Sequence, residues 1–250
     1  MNLKRTNNIM FYYRKIHRYF GVIIGIQLLF WTLGGIFFTW SNMDQIHGDK
    51  NRKSQELISD LADWQNPTAI FEEISKTNQI DSLVSFQTIN FLNEPFYQIR
   101  YFSNGKQNIS LVNVKTGIVR EALSKEEAVQ LANKVFTPKS EIEKIEYLVE
   151  GMVNKHHEYR NQPLPAYAIK FSHNSGTMVY VSTEYGQVLK LRDSNWRIFD
   201  FFWMMHTMDY QSRDHIGNTL LRIFSVLGLI TILTGFILYF KTSGRFIKNH

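Results

Sequence analysis

The chain has 250 residues, with 28 Lys and Arg against 22 Asp and Glu, and no cysteine. The missing thiol excludes disulfides, iron–sulfur ligation, thiol redox chemistry and the Cys-x-x-Cys-His attachment of c-type haem, so a haem could only be held non-covalently by His or Met. The pI near 9.3 does not signal a nucleic-acid face. Nine basic residues lie in the two end segments or at Arg222, which leaves 19 basic and 22 acidic residues in the middle and no basic stripe interleaved with aromatics.

Residues 1–18 form a basic tail with Lys4, Arg5, Arg14, Lys15 and Arg18 and no acid. Residues 19–40 follow with no charge and one amide, Gln27. A bilayer core takes ~20 apolar residues in a helix, so this run is expected to span a membrane. Its apolar core is too long for a cleaved signal, and bulky residues follow Gly34-Gly35, so an uncleaved anchor is expected. The mean hydropathy of −0.23 averages this run with a polar middle.

The middle, residues 41–195, reads as two copies of one unit, at about 62–121 and 122–193. Asn66 caps and Pro67 opens a helix running to about Lys76. A strand at Ser82–Ile89 follows, then Tyr97–Tyr101, the turn Asn104-Gly105, and Asn108–Val114, ending in Lys115-Thr116-Gly117. The second copy opens on the capping box Ser124…Glu127, with Ala128, Leu131, Ala132 and Val135 at helical spacing. Strands are expected at Ile142–Val149, Tyr167–Phe171 and Thr177–Thr183, before Glu184-Tyr185-Gly186. Between them, His156-His157-Glu158 lacks His-Glu-x-x-His spacing and reads as a solvated loop.

Residues 196–218 form an aromatic-rich segment, Trp196 to His206 and beyond, suited to a helix at a membrane–water interface. Residues 219–240 form the second span, uncharged from Ile223 to Phe240, and 241–250 a second basic tail. Basic residues flank both spans, so both termini are expected in the cytoplasm and the middle outside. The fold class expected is an α+β membrane protein: two transmembrane helices flanking a periplasmic domain of two helix-plus-antiparallel-sheet units. No Walker loop, G-x-G-x-x-G, G-x-S-x-G or His-Glu-x-x-His element is present, so nucleotide chemistry and hydrolysis have no support.

Within the spans, His17, Gly21, Gly25, Leu28 and Thr32 share one helix face. Gly21-x-x-x-Gly25 leaves a groove for another backbone or a flat macrocycle, and Gly228 and Gly235 lie on a similar face of the second span. Plain helix packing explains these glycines equally well. Gln27 is expected to make an interhelical hydrogen bond, and Arg222 to snorkel or to pair with Asp209, Asp214 or a bound carboxylate.

The strands ending Leu111-Val-Asn-Val-Lys-Thr-Gly117-Ile-Val and Val179-Tyr-Val-Ser-Thr-Glu-Tyr-Gly186-Gln-Val resemble those of PepSY domains. Arg14-Lys-Ile-His17-Arg18-Tyr-Phe-Gly21, His206-Thr-Met-Asp209 and Thr234-Gly235-Phe-Ile-Leu-Tyr239 resemble the PepSY-associated transmembrane family. Larger members of that family have more spans and include inner-membrane ferric-siderophore reductases that carry haem between helices. The resemblance implies a bacterial inner-membrane protein holding b-type haem and passing electrons outward to a ferric chelate. His17 and His206 would be the axial ligands to the haem iron, with His215, Gly21, Gly25, Gly235 and Arg222 around the ring. His47 is a further candidate. One chain cannot supply two inner ligands, because the inner end offers only His17 and the terminal His250, so a homodimer or larger membrane complex is implied. The alternative is an interaction subunit that uses its spans only as an anchor in lipid and docks an envelope protein by sheet-edge pairing.

Overall fold

The computed structural model describes residues 2–42, 46, 48–54, 58 and 62–242, with side chains from residue 11 onward. His47 and His250 lie outside the described residues. In chain order the elements are α1 (Asn2–Trp40), a short 3-10 turn (Asp49–Asn51), α2 (Pro67–Thr77), β1 (Ser82–Phe91), β2 (Glu94–Ser103), β3 (Lys106–Asn113), α3 (Lys125–Val135), β4 (Ile142–Leu148), β5 (Ala166–Phe171), β6 (Met178–Ser182), β7 (Gln187–Arg192), α4 (Ser194–Thr207) and α5 (Thr219–Thr242). They gather into two compact units, residues 43–197 and residues 1–42 with 198–250.

The first of these units stacks helices and sheets alternately. β1, β2 and β3 form one antiparallel sheet in that order, and β4 to β7 form another. Side chains alternate across a strand, so the first sheet has two apolar faces. Tyr97, Ile99, Tyr101 and Val112 lie with Ile70 and Ile74 of α2. Ile89, Phe91, Phe96 and Leu111 lie on the other face with Leu123, Ala128, Leu131 and Ala132, in and just before α3. The same core takes in Ile169, Val179, Val181, Val188 and Leu191 of the second sheet, so α3 serves both sheets. Beyond that sheet, Tyr159 stacks on Tyr180 at 5.0 Å and 15°, and burial pushes both phenols up from their ordinary pKa.

Local chemistry sets the helix starts. Asn66 accepts from the Thr68 amide, and Pro67 takes the first helical position. Ser124 and Glu127 cap α3 reciprocally, at 3.2 Å and 2.9 Å. Glu127 also accepts from Arg120 at 2.8 Å. Ser124→Ala removes one acceptor from the helix N-terminus and is expected to lower stability by ~1 kcal/mol, read as a fall in thermal midpoint of the detergent-solubilised chain.

The two repeats differ at their ends. The second has a full fourth strand, β7, whereas the first continues past Gly117 only as the isolated bridge Val112↔Val119. Gln187–Arg192 pairs with β6 along its length, Val188 and Leu191 pointing into the core, with one register irregularity near Val181. The stretch after Val119 is instead drawn into the approach to the α3 cap.

In the other unit, α1 and α5 are long and apolar enough to cross a membrane, over Phe11–Trp40 and Thr219–Lys241. Val22, Ile23, Leu229 and Phe236 on these helices are exposed, and hydrocarbon is the solvent that suits a continuous apolar surface of this length. The protein is an α+β membrane protein. α1 is one unbroken helix that also takes in the basic tail, because Met10, Phe11, Tyr12 and Tyr13 carry the apolar character N-terminal to Arg14.

The aromatic segment differs from the expectation of a helix lying flat at an interface. α4 runs antiparallel along the C-terminal half of α1. Phe199 meets Phe38, Phe202 meets Phe37, and Met205 receives the Gln27 side chain. Gln27 lies 13 residues before Trp40, ~20 Å along the axis. α5 covers the other half: His17 meets Thr234, and Ile24 meets Gly228. One long helix is therefore flanked by two shorter ones joined through residues 208–218. The cause is stickiness in the small and polar positions of α1. Gly34 admits Phe202, and the Gln27 amide and Trp31 indole need acceptors that lipid lacks.

Candidate functional site

Near the N-terminal end of the first span, His17 Nδ1 lies 3.0 Å from Thr234 Oγ1 of α5. The Thr234 hydroxyl donates its own hydrogen to the Thr231 carbonyl at 2.9 Å. A hydroxyl has one hydrogen, so it accepts from His17, and Nδ1 carries the proton. In the neutral imidazole the Nε2 lone pair is then the available one, the arrangement found in metal-ligating histidines whose second nitrogen is oriented by a partner. Gly235 fits closely here: a Cβ at that position would lie 3.2 Å from His17 Cε1. Its lack of a side chain makes room for the imidazole itself. Gly21 and Gly25 face open space, with nothing within 4 Å of an added Cβ.

The other candidate residues lie where α4 meets the linker to α5. The His206 carbonyl accepts from Trp31 Nε1 at 2.9 Å. Its ring sits 6.1 Å from that of Trp31 and 5.9 Å from that of Phe38. His206 Nδ1 is buried and has no hydrogen-bond partner among the described residues, which costs about 1–3 kcal/mol. His215 is exposed, and its ring lies beside Gly217, as does the Arg222 guanidinium. Arg222 forms no ion pair with Asp209 or Asp214 among the described residues.

Two carboxylates organise this end. Asp209 accepts from the Gln211, Ser212 and His215 amides and from the Ser212 hydroxyl. Burial would raise its pKa, but these donors outweigh it and hold the carboxyl well below the usual carboxylate range. Asp200 of α4, nearly fully buried, pairs with Arg213 of the linker.

His206, His215 and Arg222 thus share one end of the membrane unit, and His17, Thr234 and Gly235 the other. The Trp31 and Phe38 contacts place His206 14–21 residues along α1 from His17, ~20–30 Å at 1.5 Å per residue. The two histidines cannot ligate one ring from within one chain. Thr234, Trp31 and the Asp200–Arg213 pair were not singled out from the sequence. Asp200 had a signal, a lone charge within Phe199-Asp200-Phe201-Phe202; Thr234 stood in the Thr-Gly motif of the second span, with nothing to mark it as the partner of His17.

The family model described as the PepSY-associated TM region matches residues 14–250. The chain belongs to this family. The match runs from Arg14 through both spans and everything between them, so the two ends and the sheet domain are parts of one family architecture. No curated protein and no solved structure matches the chain. Among the described residues of this PepSY-associated membrane protein, no three His, Asp or Glu side chains form a metal-holding group.

Proposed function

We propose that this PepSY-associated protein is a haem-binding electron-transfer protein of the bacterial inner membrane, with both termini cytoplasmic and the sheet domain periplasmic. The basic residues flanking each span support this orientation. The observation that carries the reading is the Thr231–Thr234–His17 hydrogen-bond chain, which orients the His17 ring beside Gly235 of α5. His17 would hold one b-type haem near one membrane face and His206 a second near the other. His17 and His206 lie too far apart to share one ring, so a homodimer or a larger complex would complete each site. The open Gly21–Gly25 face leaves room for that second copy or for the ring. Haem supplies one-electron chemistry when bound, and a ferric chelate outside the membrane is the acceptor.

The chain's own residues do the orienting. Thr234 fixes the His17 tautomer, while Trp31 and Phe38 wall His206 against lipid and water. The test is a dithionite-reduced minus oxidised spectrum of the full chain purified after haem-replete expression. A b-type difference spectrum is expected, reduced in both His17→Ala and His206→Ala. A flat spectrum overturns the reading.

A second reading, an interaction subunit, is favoured by the outer edge of β1. Leu83 and Val84 there are exposed, on a strand paired on one side only. It predicts a stoichiometric co-purifying partner and no effect of either histidine substitution.

A further inference from the structure

Among the described residues the two sheets end in four strand edges, and three of them carry a feature that discourages pairing. β4 bears Glu143, Lys144 and Glu146 within its seven residues, and Lys144 pairs with Glu146. β7 bears Lys190 and Arg192. The C-terminal half of β3 is overlaid by the chain after Gly117: Asn113 N donates to the Ile118 carbonyl at 3.0 Å, and Arg120 N to the Leu111 carbonyl at 2.8 Å. Edge charges and a covering segment are the usual means of blunting a sheet edge. β1 has neither. Its ten residues contain no Asp, Glu, Lys, Arg or Pro. No described strand lies on its outer side, and Leu83, Val84, Gln87 and Thr88 are exposed.

The contrast falls between equivalent positions of the repeat. β1 follows α2 and opens the first sheet, as β4 follows α3 and opens the second. A register irregularity between Leu83 and Ser85 leaves the regular ladder with β2 from Ser85 onward. Phe86 packs on Tyr97 at 5.1 Å, which anchors this stretch on the α2 side. An open edge offers a row of main-chain N–H and C=O groups, and another extended strand satisfies them in register. An antiparallel pair of identical strands has a stricter requirement. Its two-fold axis, normal to the sheet, sets one residue opposite its own copy, and like charges set opposite one another repel. Ser85, Phe86, Gln87 and Thr88 bring no charge to any such register, and aromatic or hydroxyl pairs are favourable ones.

We propose that the edge of β1 pairs antiparallel with β1 of a second copy of this chain, about a two-fold axis within residues 85–88. The pairing joins two three-stranded sheets into one of six strands, an ordinary size. It goes beyond both readings above: the haem reading calls for a second copy without placing it, and the interaction reading leaves its partner unspecified.

The chain has no cysteine, so an introduced thiol has no partner within it. Ser85, Phe86, Gln87 and Thr88 are replaced by Cys one at a time in the full chain, and membranes holding each variant are treated with a mild oxidant. A disulfide needs Cα atoms ~4.4–6.8 Å apart, so a covalent homodimer is expected at one or two of these positions, at or beside the axis. Glu143→Cys and Tyr147→Cys, at exposed positions of β4, set the background of random collision. Adding Thr88→Lys to the best cross-linking variant (Gln87→Lys where the thiol is at residue 88) is expected to lower the dimer yield about fivefold. An unchanged thermal melt shows that each variant is folded. A homodimer yield no higher than the β4 background overturns the proposal. So do equal yields at all four positions, a yield that the lysine leaves unchanged, and a disulfide to a different protein. The haem reading fails separately: a flat difference spectrum beside a β1 cross-link removes that reading and leaves this one, and a b-type spectrum without the cross-link does the reverse.

Discussion

Asp200→Ala is expected to lower the stability of the detergent-solubilised chain by about 3–5 kcal/mol. Asp200 has only 4% of its side chain exposed and pairs with Arg213, which is 24% exposed. Among the described residues, removing the carboxylate leaves a guanidinium largely out of water with no counter-charge, and Arg213 Nε already lacks a hydrogen-bond partner. The cost is therefore dominated by the charge left behind, more than by the intrinsic value of the pair. The double variant Asp200→Leu with Arg213→Leu removes both charges and is expected to recover most of the loss. Tryptophan-fluorescence melts read both results, since Trp203 lies one turn from Asp200 on α4. A double variant no more stable than Asp200→Ala would assign the loss to packing around α4.

Gly186→Val is expected to cost about 2–5 kcal/mol, from two sources that can be separated. The backbone there has φ +63°, where a side chain pays about 1–2 kcal/mol. The added Cβ would also lie 2.7 Å from Leu111 Cδ1, with Ile89 and Phe91 behind it at 3.6 Å. Overpacking of this kind adds about 1–3 kcal/mol. Gly105 serves as the control: its φ is +71°, but nothing lies within 4 Å of an added Cβ. Gly105→Val should therefore show the backbone cost alone, and the difference in thermal midpoint between the two variants reads the closeness of the Gly186 turn to the first sheet. Equal losses would mean that Leu111 simply turns aside. The Gln98 amide, which donates to Tyr185 O at 2.8 Å, argues that the turn is held in place.

Some elements could be read directly because their signals are local. Ser124 and Glu127 stand three residues apart in front of an apolar 3.6-residue pattern, and they do cap α3. Asn104-Gly105 stands between two alternating runs, and it does turn β2 into β3, both residues having positive φ. The Gln27 hydrogen bond was legible because an amide in hydrocarbon has to find a protein partner. The candidate site was less legible. His17 stood out, but Thr234, which orients it, is 217 positions away. The aromatic run of α4 has the composition of an interfacial anchor as much as that of a stacking partner for α1. The contacts of Gln27, Trp31, Gly34, Phe37 and Phe38 with α4 distinguish the two.

The amino-acid order alone determined that two uncharged runs leave water, that a polar domain lies between them, and that the domain repeats a helix followed by antiparallel strands. Those features depend on hydrophobic length, period and turn chemistry, which act between neighbours along the chain. Tertiary structure decided that α3 is shared by both sheets, that α4 and α5 divide the length of α1 between them, and that Asp200 pairs with Arg213. Each of these depends on which surfaces meet between segments distant in sequence or on which buried charge finds a partner, and short-range patterns carry no record of that choice.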